Sequence, residues 1–244
     1  TVSFAHTFSN DRVTAKINLF KVDKETGKAV PQGDATLKGA VYGLYAREDI
    51  VHPDGATGVI YKAGEQVASL TTDEKGQASV NGLYLGKYYV KEITPPTGYL
   101  ADTEEHDLEC SYEGDMTAEV KRECISSEQV IKQPFQIIKA ANNGKTDADL
   151  LSGAGFTVYL KSSLTKKADG SYDFDSAKPV VSGENGTTEI FTDEKGYACS
   201  IPLPFGSYIV RETTTPHNYK PVDDFEVNIT EHHPNEPQIW RVLL

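Results

Sequence analysis

The sequence predicts an all-β chain built as two tandem β-sandwiches. Three observations lead there. Short segments rich in Val, Ile, Tyr, Phe and Thr alternate with clusters of Gly, Pro, Asn and Asp, the pattern of strands joined by turns. No long segment carries the 3.6-residue apolar period of an amphipathic helix. The chain also repeats itself once at the spacing of a whole domain, which is too long for the unit of a solenoid.

The repeat is legible residue by residue. Thr72-Asp73-Glu74-Lys75-Gly76 recurs as Thr192-Asp193-Glu194-Lys195-Gly196. Gly86-Lys87-Tyr88-Tyr89-Val90-Lys91-Glu92 matches Gly206-Ser207-Tyr208-Ile209-Val210-Arg211-Glu212, and Pro96-Thr97-Gly98-Tyr99 matches Pro216-His217-Asn218-Tyr219. Upstream, Leu37 to Tyr45 matches Leu151 to Tyr159, and Phe20-Lys21-Val22 aligns with Ile138-Lys139-Ala140. The boundary falls near Gln129–Pro134, which gives domains at 13–131 and 132–244. Residues 1–12, ending in Ser9-Asn10-Asp11-Arg12, read as the last strand of a preceding domain.

Each element follows from local pattern. Val13–Val22, Val41–Ala46, Gln77–Val80, Tyr88–Ile93, Asp107–Tyr112 and Thr117–Ile125 are β-rich and partly alternating. Turn formers separate them at Lys24–Gly27, Asp73–Gly76 and Pro95–Gly98. Such spacing predicts an antiparallel sandwich or barrel. Glu48–Gly64 and Ser162–Gly186 read as long loops. A turn at Glu113-Gly114-Asp115 predicts a hairpin that sets Cys110 opposite a residue near Ala118 and not opposite Cys124. With three cysteines in all, free thiols serving as small core residues are the favoured reading. A 110–124 disulfide is the other.

Composition narrows the function classes. Hydrophobic residues make up 38% of the chain, enough for real cores, and the formal net charge is −12. A polyanion binds nucleic acid poorly, because that affinity comes mainly from cations on phosphates. Anionic membranes are disfavoured on the same ground. There is no apolar run of the roughly 18 residues that suggest a membrane span. Neither a signal peptide nor a sorting signal is present, and both ends look strand-like. The sequence therefore reads as a piece of a longer, secreted protein with a solvated surface.

The chemistry lies in charged residues on core-facing strand positions. In Ile17-Asn18-Leu19-Phe20-Lys21, residues 17, 19 and 21 share one face. If Ile17 and Leu19 point into the core, so does Lys21, and Ile137 with Lys139 repeats the pattern. Glu92 shares a face with Tyr88 and Val90, and Glu212 shares one with Tyr208 and Val210. Burial lowers a lysine pKa towards a nucleophilic amine and raises a glutamate pKa towards the neutral acid. The plain alternatives are a buried Lys–Glu salt bridge, or strand ends that reach solvent.

Lys21-Val22-Asp23, Thr26-Gly27, Leu37-Lys38-Gly39-Ala40, Thr72-Asp73, Gly76, Gly82-Leu83, Gly86-Lys87-Tyr88, Glu92 and Pro96-Thr97-Gly98-Tyr99 together resemble the B-type repeat of Gram-positive collagen adhesins and the SpaA-like domains of sortase-assembled pilins. The second domain keeps most of the pattern. It has Ala140-Ala141 after Lys139 where the first has an Asp, and Asn218 for the corner Gly. The resemblance implies a prealbumin-like, inverse-immunoglobulin sandwich. It also implies an intramolecular isopeptide bond, in which the first-strand lysine attacks an Asn side chain on the last strand, a protonated Glu assists and ammonia leaves. Lys21 and Lys139 would be the amines, and Glu92 and Glu212 the acids. This is one maturation event per site, so the chain is no turnover enzyme.

The acceptor departs from the family. Ser126-Ser127-Glu128-Gln129 offers no Asn, and Gln129 carries an amide at a longer reach. Asn10 resembles the acceptor of the preceding domain. In the second domain the acceptor is expected about where Leu244 stands, and Asn228 sits too early. No cofactor or metal site is expected. Adjacent residues on a strand point opposite ways, so His232 and His233 would not share an ion, and with Pro234 and Pro237 nearby they read as a loop before the final strand; the acids Asp147, Asp149, Asp223 and Asp224 lack a calcium-loop pattern. These features predict a stalk or pilin-like module of a Gram-positive cell-wall surface protein, whose partners are the neighbouring domains of its own chain. The competing reading is an adhesin domain that grips host extracellular matrix or glycan through its long loops.

Overall fold

A computed structural model describes residues 5–7, 10–141 and 149–243. Asp147 and Leu244 therefore lie outside the described residues. Among the described residues, eighteen strands account for nearly all of the regular structure, with two single turns of 3-10 helix at Lys161–Ser163 and Glu184–Gly186. The chain is all-β, in two tandem sandwiches. It divides into two compact units, the first dominated by residues up to Glu128 and the second by Gln129 onward, with Pro31–Thr36 and Gly98–Leu100 grouping with the second.

The first half contains β1 (Thr14–Asp23), β2 (Val41–Ala46), β3 (Ile50–Val51), β4 (Val59–Tyr61), β5 (Gln66–Thr71), β6 (Gln77–Leu83), β7 (Gly86–Thr94), β8 (Glu105–Cys110) and β9 (Glu119–Glu128). One sheet runs β6-β1-β9 and the other β5-β2-β7-β8. β1 alternates strictly between half-exposed and buried residues, as its pattern required. Ile17, Leu19, Tyr42, Leu44, Tyr88 and Val90 form the centre of the core.

The second half repeats this plan. Its strands are β10 (Lys132–Gln133), β11 (Phe135–Ala140), β12 (Gly155–Leu160), β13 (Glu189–Phe191), β14 (Tyr197–Cys199), β15 (Leu203–Pro204), β16 (Gly206–Thr214), β17 (Phe225–Ile229) and β18 (Gln238–Leu243). The sheets are β14-β11-β18 and β13-β12-β16-β17, with a short β10-β15 pair beside them. Phe135, Ile137, Phe156, Val158, Tyr208 and Val210 lead its core. Burying the ring of a tyrosine while its hydroxyl finds a carbonyl works the same way in both halves. Tyr88 donates to Tyr84 O and Tyr208 to Pro204 O, each at 2.6 Å.

Four expectations are corrected. The sandwiches are not purely antiparallel, since β1 pairs in parallel with β9 and β11 with β18. Alternation fixes which face is buried but not strand direction, so the sequence could not show this. Cys110 and Cys124 do not share a hairpin. β8 pairs with β7, which sets Cys110 opposite Gly86, and β9 belongs to the other sheet. All three thiols are free, Cys110 and Cys124 buried but Cys199 exposed on β14, so Cys199 is no core residue. Glu48–Gly64 is not a plain loop either, because it carries the β3-β4 hairpin.

The repeated Thr-Asp-Glu-Lys-Gly turn explains its own recurrence. Asp73 Oδ1 accepts from Lys75 N and Gln77 N, and Asp193 Oδ1 accepts from Lys195 N and Tyr197 N. Thr72 Oγ1 accepts from Ala40 N, and Thr192 Oγ1 from Ala154 N. The turn glycine then binds the lysine strand. Gly76 O accepts from Lys21 N and Gly196 O from Lys139 N, each at 2.8 Å. Gly76 has φ +72°, and a Cβ there would meet Lys21 O at 2.9 Å and Leu37 Cβ at 3.2 Å. Gly27 has a similar φ of +65° with open space around it. Gly76→Ala should therefore destabilise its domain by roughly 1–3 kcal/mol more than Gly27→Ala, measured by denaturant unfolding. Equal losses would show that the turn does not press on the lysine strand.

Candidate crosslink site

β1 delivers Lys21 to the core on the same face as Ile17 and Leu19, and its side chain is fully buried. β7 delivers Glu92 on the face of Tyr88 and Val90. These strands belong to different sheets, so the two side chains meet across the sandwich and not on neighbouring strands. Lys21 Nζ lies 3.8 Å from Glu92 Oε1. Glu92 Oε2 accepts from the backbone N–H of Asp102 at 2.7 Å.

A third residue completes the cluster. Parallel pairing sets Lys21 beside Ser126 and Asp23 beside Glu128. Glu128 therefore lies two residues along the neighbouring strand, on the same face as Ser126, within reach of a long lysine side chain. Lys21 Nζ is in direct contact with Glu128 Oε2. Glu128 Oε1 lies 2.7 Å from Tyr42 Oη and 3.1 Å from Ser126 Oγ. Tyr42 Oη is 2.9 Å from Ser126 Oγ, which reaches Asp102 Oδ2 at 3.1 Å, and His106 Nε2 holds the same Asp102 oxygen at 2.7 Å.

Burial governs the protonation of this cluster. Desolvation first, then the hydrogen bond with Glu128, pushes the Glu92 carboxyl up to about 7. Desolvation drives the Tyr42 phenol far above its usual value, so Tyr42 keeps its proton. Burial also pushes at Asp102, but hydrogen bonds from His106 and Glu104 N–H hold its carboxyl below the ordinary range.

The second half builds the same frame with less in it. Lys139 is fully buried on β11, and its Nζ donates to Glu212 Oε2 at 2.8 Å. Glu212 Oε2 also accepts from Val222 N at 2.8 Å, as Glu92 does from Asp102 N. Phe156 stands where Tyr42 stands, with Lys139 Nζ 5.9 Å from its ring centroid. Val222 replaces Asp102, Phe225 pairs with Val210 where His106 pairs with Val90, and Val242 replaces Ser126.

The four residues singled out as Lys21, Glu92, Lys139 and Glu212 thus meet in pairs. Gln129, the amide candidate, donates from its side-chain nitrogen to Val130 O at 3.0 Å. Asn10 is exposed, and none of the described residues 5–7 and 10–12 lies in a strand. Asn228 is exposed on β17 and accepts from Ser207 Oγ. His232 Nδ1 accepts from Lys132 N and His233 faces Glu231. No metal-holding cluster occurs among the described residues, and no described helix is long and apolar enough to cross a membrane. Glu128 was the residue sequence reasoning missed. Its signal was spacing: Asn10 precedes Lys21 by the same number of residues as Glu128 precedes Lys139, so Glu128 occupies the position that Asn10 marks.

Comparison with known proteins places this geometry. The SpaA family, described as a prealbumin-like fold domain, matches residues 15–123 and again 134–239. The chain belongs to the SpaA prealbumin-like family. No curated protein sequence matches it. Among solved structures, the Bacillus anthracis TIE protein is similar over 95% of this chain and 34% of its own, at 24% identity and TM-score 0.60. A streptococcal ancillary pilin is similar over 96% of this chain and 63% of its own, at 20% identity and TM-score 0.35. The minor pilin GBS52 of Streptococcus agalactiae is similar over 94% of each chain, at 17% identity and TM-score 0.36. This SpaA-type chain therefore spans about a third of the first of these proteins and under two thirds of the second. The family match supports the prealbumin-like sandwich.

Two outcomes follow from the cluster. Glu212→Ala strands the ammonium of Lys139 in an apolar core and should cost about 3–5 kcal/mol in the second domain, read by denaturant unfolding. A loss below about 1 kcal/mol would mean that Lys139 escapes to water. Glu92 titrates higher folded than in the unfolded chain, where a glutamate sits near 4.3. Its contribution is complete below that value and is lost as pH rises through the folded value. First-domain stability should fall from about pH 5 to about pH 8, and Glu92→Gln should flatten the slope. An unchanged slope in the variant would assign the dependence elsewhere.

Proposed function

We propose that the chain is a load-bearing stalk segment of a Gram-positive cell-surface protein or pilin, and that its first domain closes itself covalently. The observation that carries this reading is the contact of Lys21 Nζ with Glu128 Oε2 on adjacent parallel strands, with Glu92 3.8 Å away. The buried amine attacks Glu128 Cδ. An N–Cδ bond forms and a Cδ–O bond breaks. The nitrogen sheds two protons in passing from ammonium to amide, and the departing oxygen takes both and leaves as water. Glu92, with its raised pKa, shuttles a proton between them. Fixed strands supply the proximity that would otherwise cost entropy.

The connectivity explains what such a bond does. The domain is entered through β1 and left through β9, which run side by side in parallel. Tension entering at Thr14 passes along β1 to Lys21, crosses to Glu128 and exits. Residues 22–127 then lie outside the load path, so the core is not peeled strand by strand. In the second domain Lys139 serves as a buried ion pair with Glu212, which contributes packing and register rather than a covalent tie.

Intact mass tests this directly. The loss of one water, about 18 Da, should appear, and fragmentation should place it between Lys21 and Glu128. Lys21→Ala should keep the full sequence mass and be cut faster by protease. Loss of ammonia instead would point to an amide acceptor such as Gln129, and an unshifted wild-type mass would end the covalent reading.

A further inference from the structure

The polar web around Glu128 holds a proton count that the crosslink reading does not use. Four contacts join Tyr42, Ser126, Glu128 and Asp102. Tyr42 Oη lies 2.7 Å from Glu128 Oε1 and 2.9 Å from Ser126 Oγ, and Ser126 Oγ lies 3.1 Å from both Glu128 Oε1 and Asp102 Oδ2. Of these four contacts Ser126–Glu128, at 3.1 Å, closes a ring and shares no proton, and the remaining path Glu128–Tyr42–Ser126–Asp102 has three links, one more than the two hydroxyl protons fill. A third proton on one of the end carboxyls completes it. Asp102 is the poor host, since His106 Nε2 and Glu104 N already bind its oxygens. The proton then sits on Glu128 Oε1 and points to Tyr42, Tyr42 donates to Ser126, and Ser126 donates to Asp102.

We propose that Tyr42 and Ser126 are catalytic residues of the first-domain condensation, holding Glu128 as the neutral carboxylic acid, with Asp102 and His106 as the positioning residues that set the direction of the chain. The inference rests on the crosslink reading and deepens it. Chemically, a neutral acid is the electrophile that an amine can attack, whereas a carboxylate repels it. The proton that Lys21 must lose to become a nucleophile is the one that the Glu128 carboxyl receives. The second proton passes from nitrogen to the leaving oxygen by way of Glu92, and one water departs, so the balance closes without any outside reagent. The second domain supplies the contrast. It has Phe156, Val242 and Val222 at the corresponding positions, so it keeps a buried lysine and glutamate but no chain of hydroxyls.

The test is the rate of water loss, timed by intact mass during cell-free synthesis of the full chain. Tyr42→Phe should fold, since Phe156 fills the same place in the sister domain, and a cooperative thermal transition checks this. Tyr42→Phe and Ser126→Ala should each slow crosslinking about 10-fold or more. Asp102→Asn should slow it too, and Ser126→Thr, which keeps a hydroxyl, should restore most of the rate. If the wild type loses water and the folded variants keep its rate, the proton-holding chain is wrong while the crosslink stands. If the wild type never loses water, both readings fall together.

Discussion

A lysine ammonium with no access to water is the constraint around which both domains are organised. Removing such an ion from water costs several kcal/mol, and only close, well-placed partners return it. Lys21 and Lys139 are each fully buried, so each domain must bring a carboxylate to the same depth. That demand fixes the face that β7 and β16 present to the core. In the first domain it also fixes the parallel register of β1 against β9, because a slip of one residue would turn Glu128 to the outside. The glycine of the repeated turn then holds the lysine backbone in place.

The two halves set one scaffold in two different surroundings. Around Lys21 a chain of oxygens runs from the core to half-buried His106 through Glu128, Tyr42, Ser126 and Asp102. Around Lys139 the same positions hold Phe and Val, and the ion pair sits in an apolar wall. An apolar wall favours permanence of the pair, since nothing competes for its protons. A wall of hydroxyls allows protons to be moved, which is what bond formation needs. Glu212 Oε1, buried without a hydrogen-bond partner, marks the cost of the simpler arrangement.

Much of this was legible in the chain itself. Alternation placed Ile17, Leu19 and Lys21 on one face, and it placed Tyr88, Val90 and Glu92 on another. The exact recurrence of Thr-Asp-Glu-Lys-Gly announced the sister domain. Asn218, at φ +69°, takes the left-handed corner that Gly98 takes in the first domain, as expected of the residue that tolerates it best after glycine. What alternation could not give was direction and depth across the sandwich. It cannot distinguish a parallel from an antiparallel neighbour, so the pairing of β1 with β9 and the role of Glu128 stayed hidden. Nor can it show that Tyr42, from the opposite sheet, would set its hydroxyl against a carboxyl on the last strand. The long segment Glu48–Gly64 misled for another reason. Its strands of two and three residues are too short to carry a period.

The central claim is that each domain sequesters its lysine nitrogen, and that the first converts it to an amide. Nitrogen NMR of protein labelled at lysine side chains reads this atom directly. The account predicts one side-chain nitrogen at an amide shift with a single slowly exchanging proton, assigned to Lys21, and one ammonium protected from solvent exchange, assigned to Lys139. Finding every lysine side chain as a freely exchanging ammonium would contradict it.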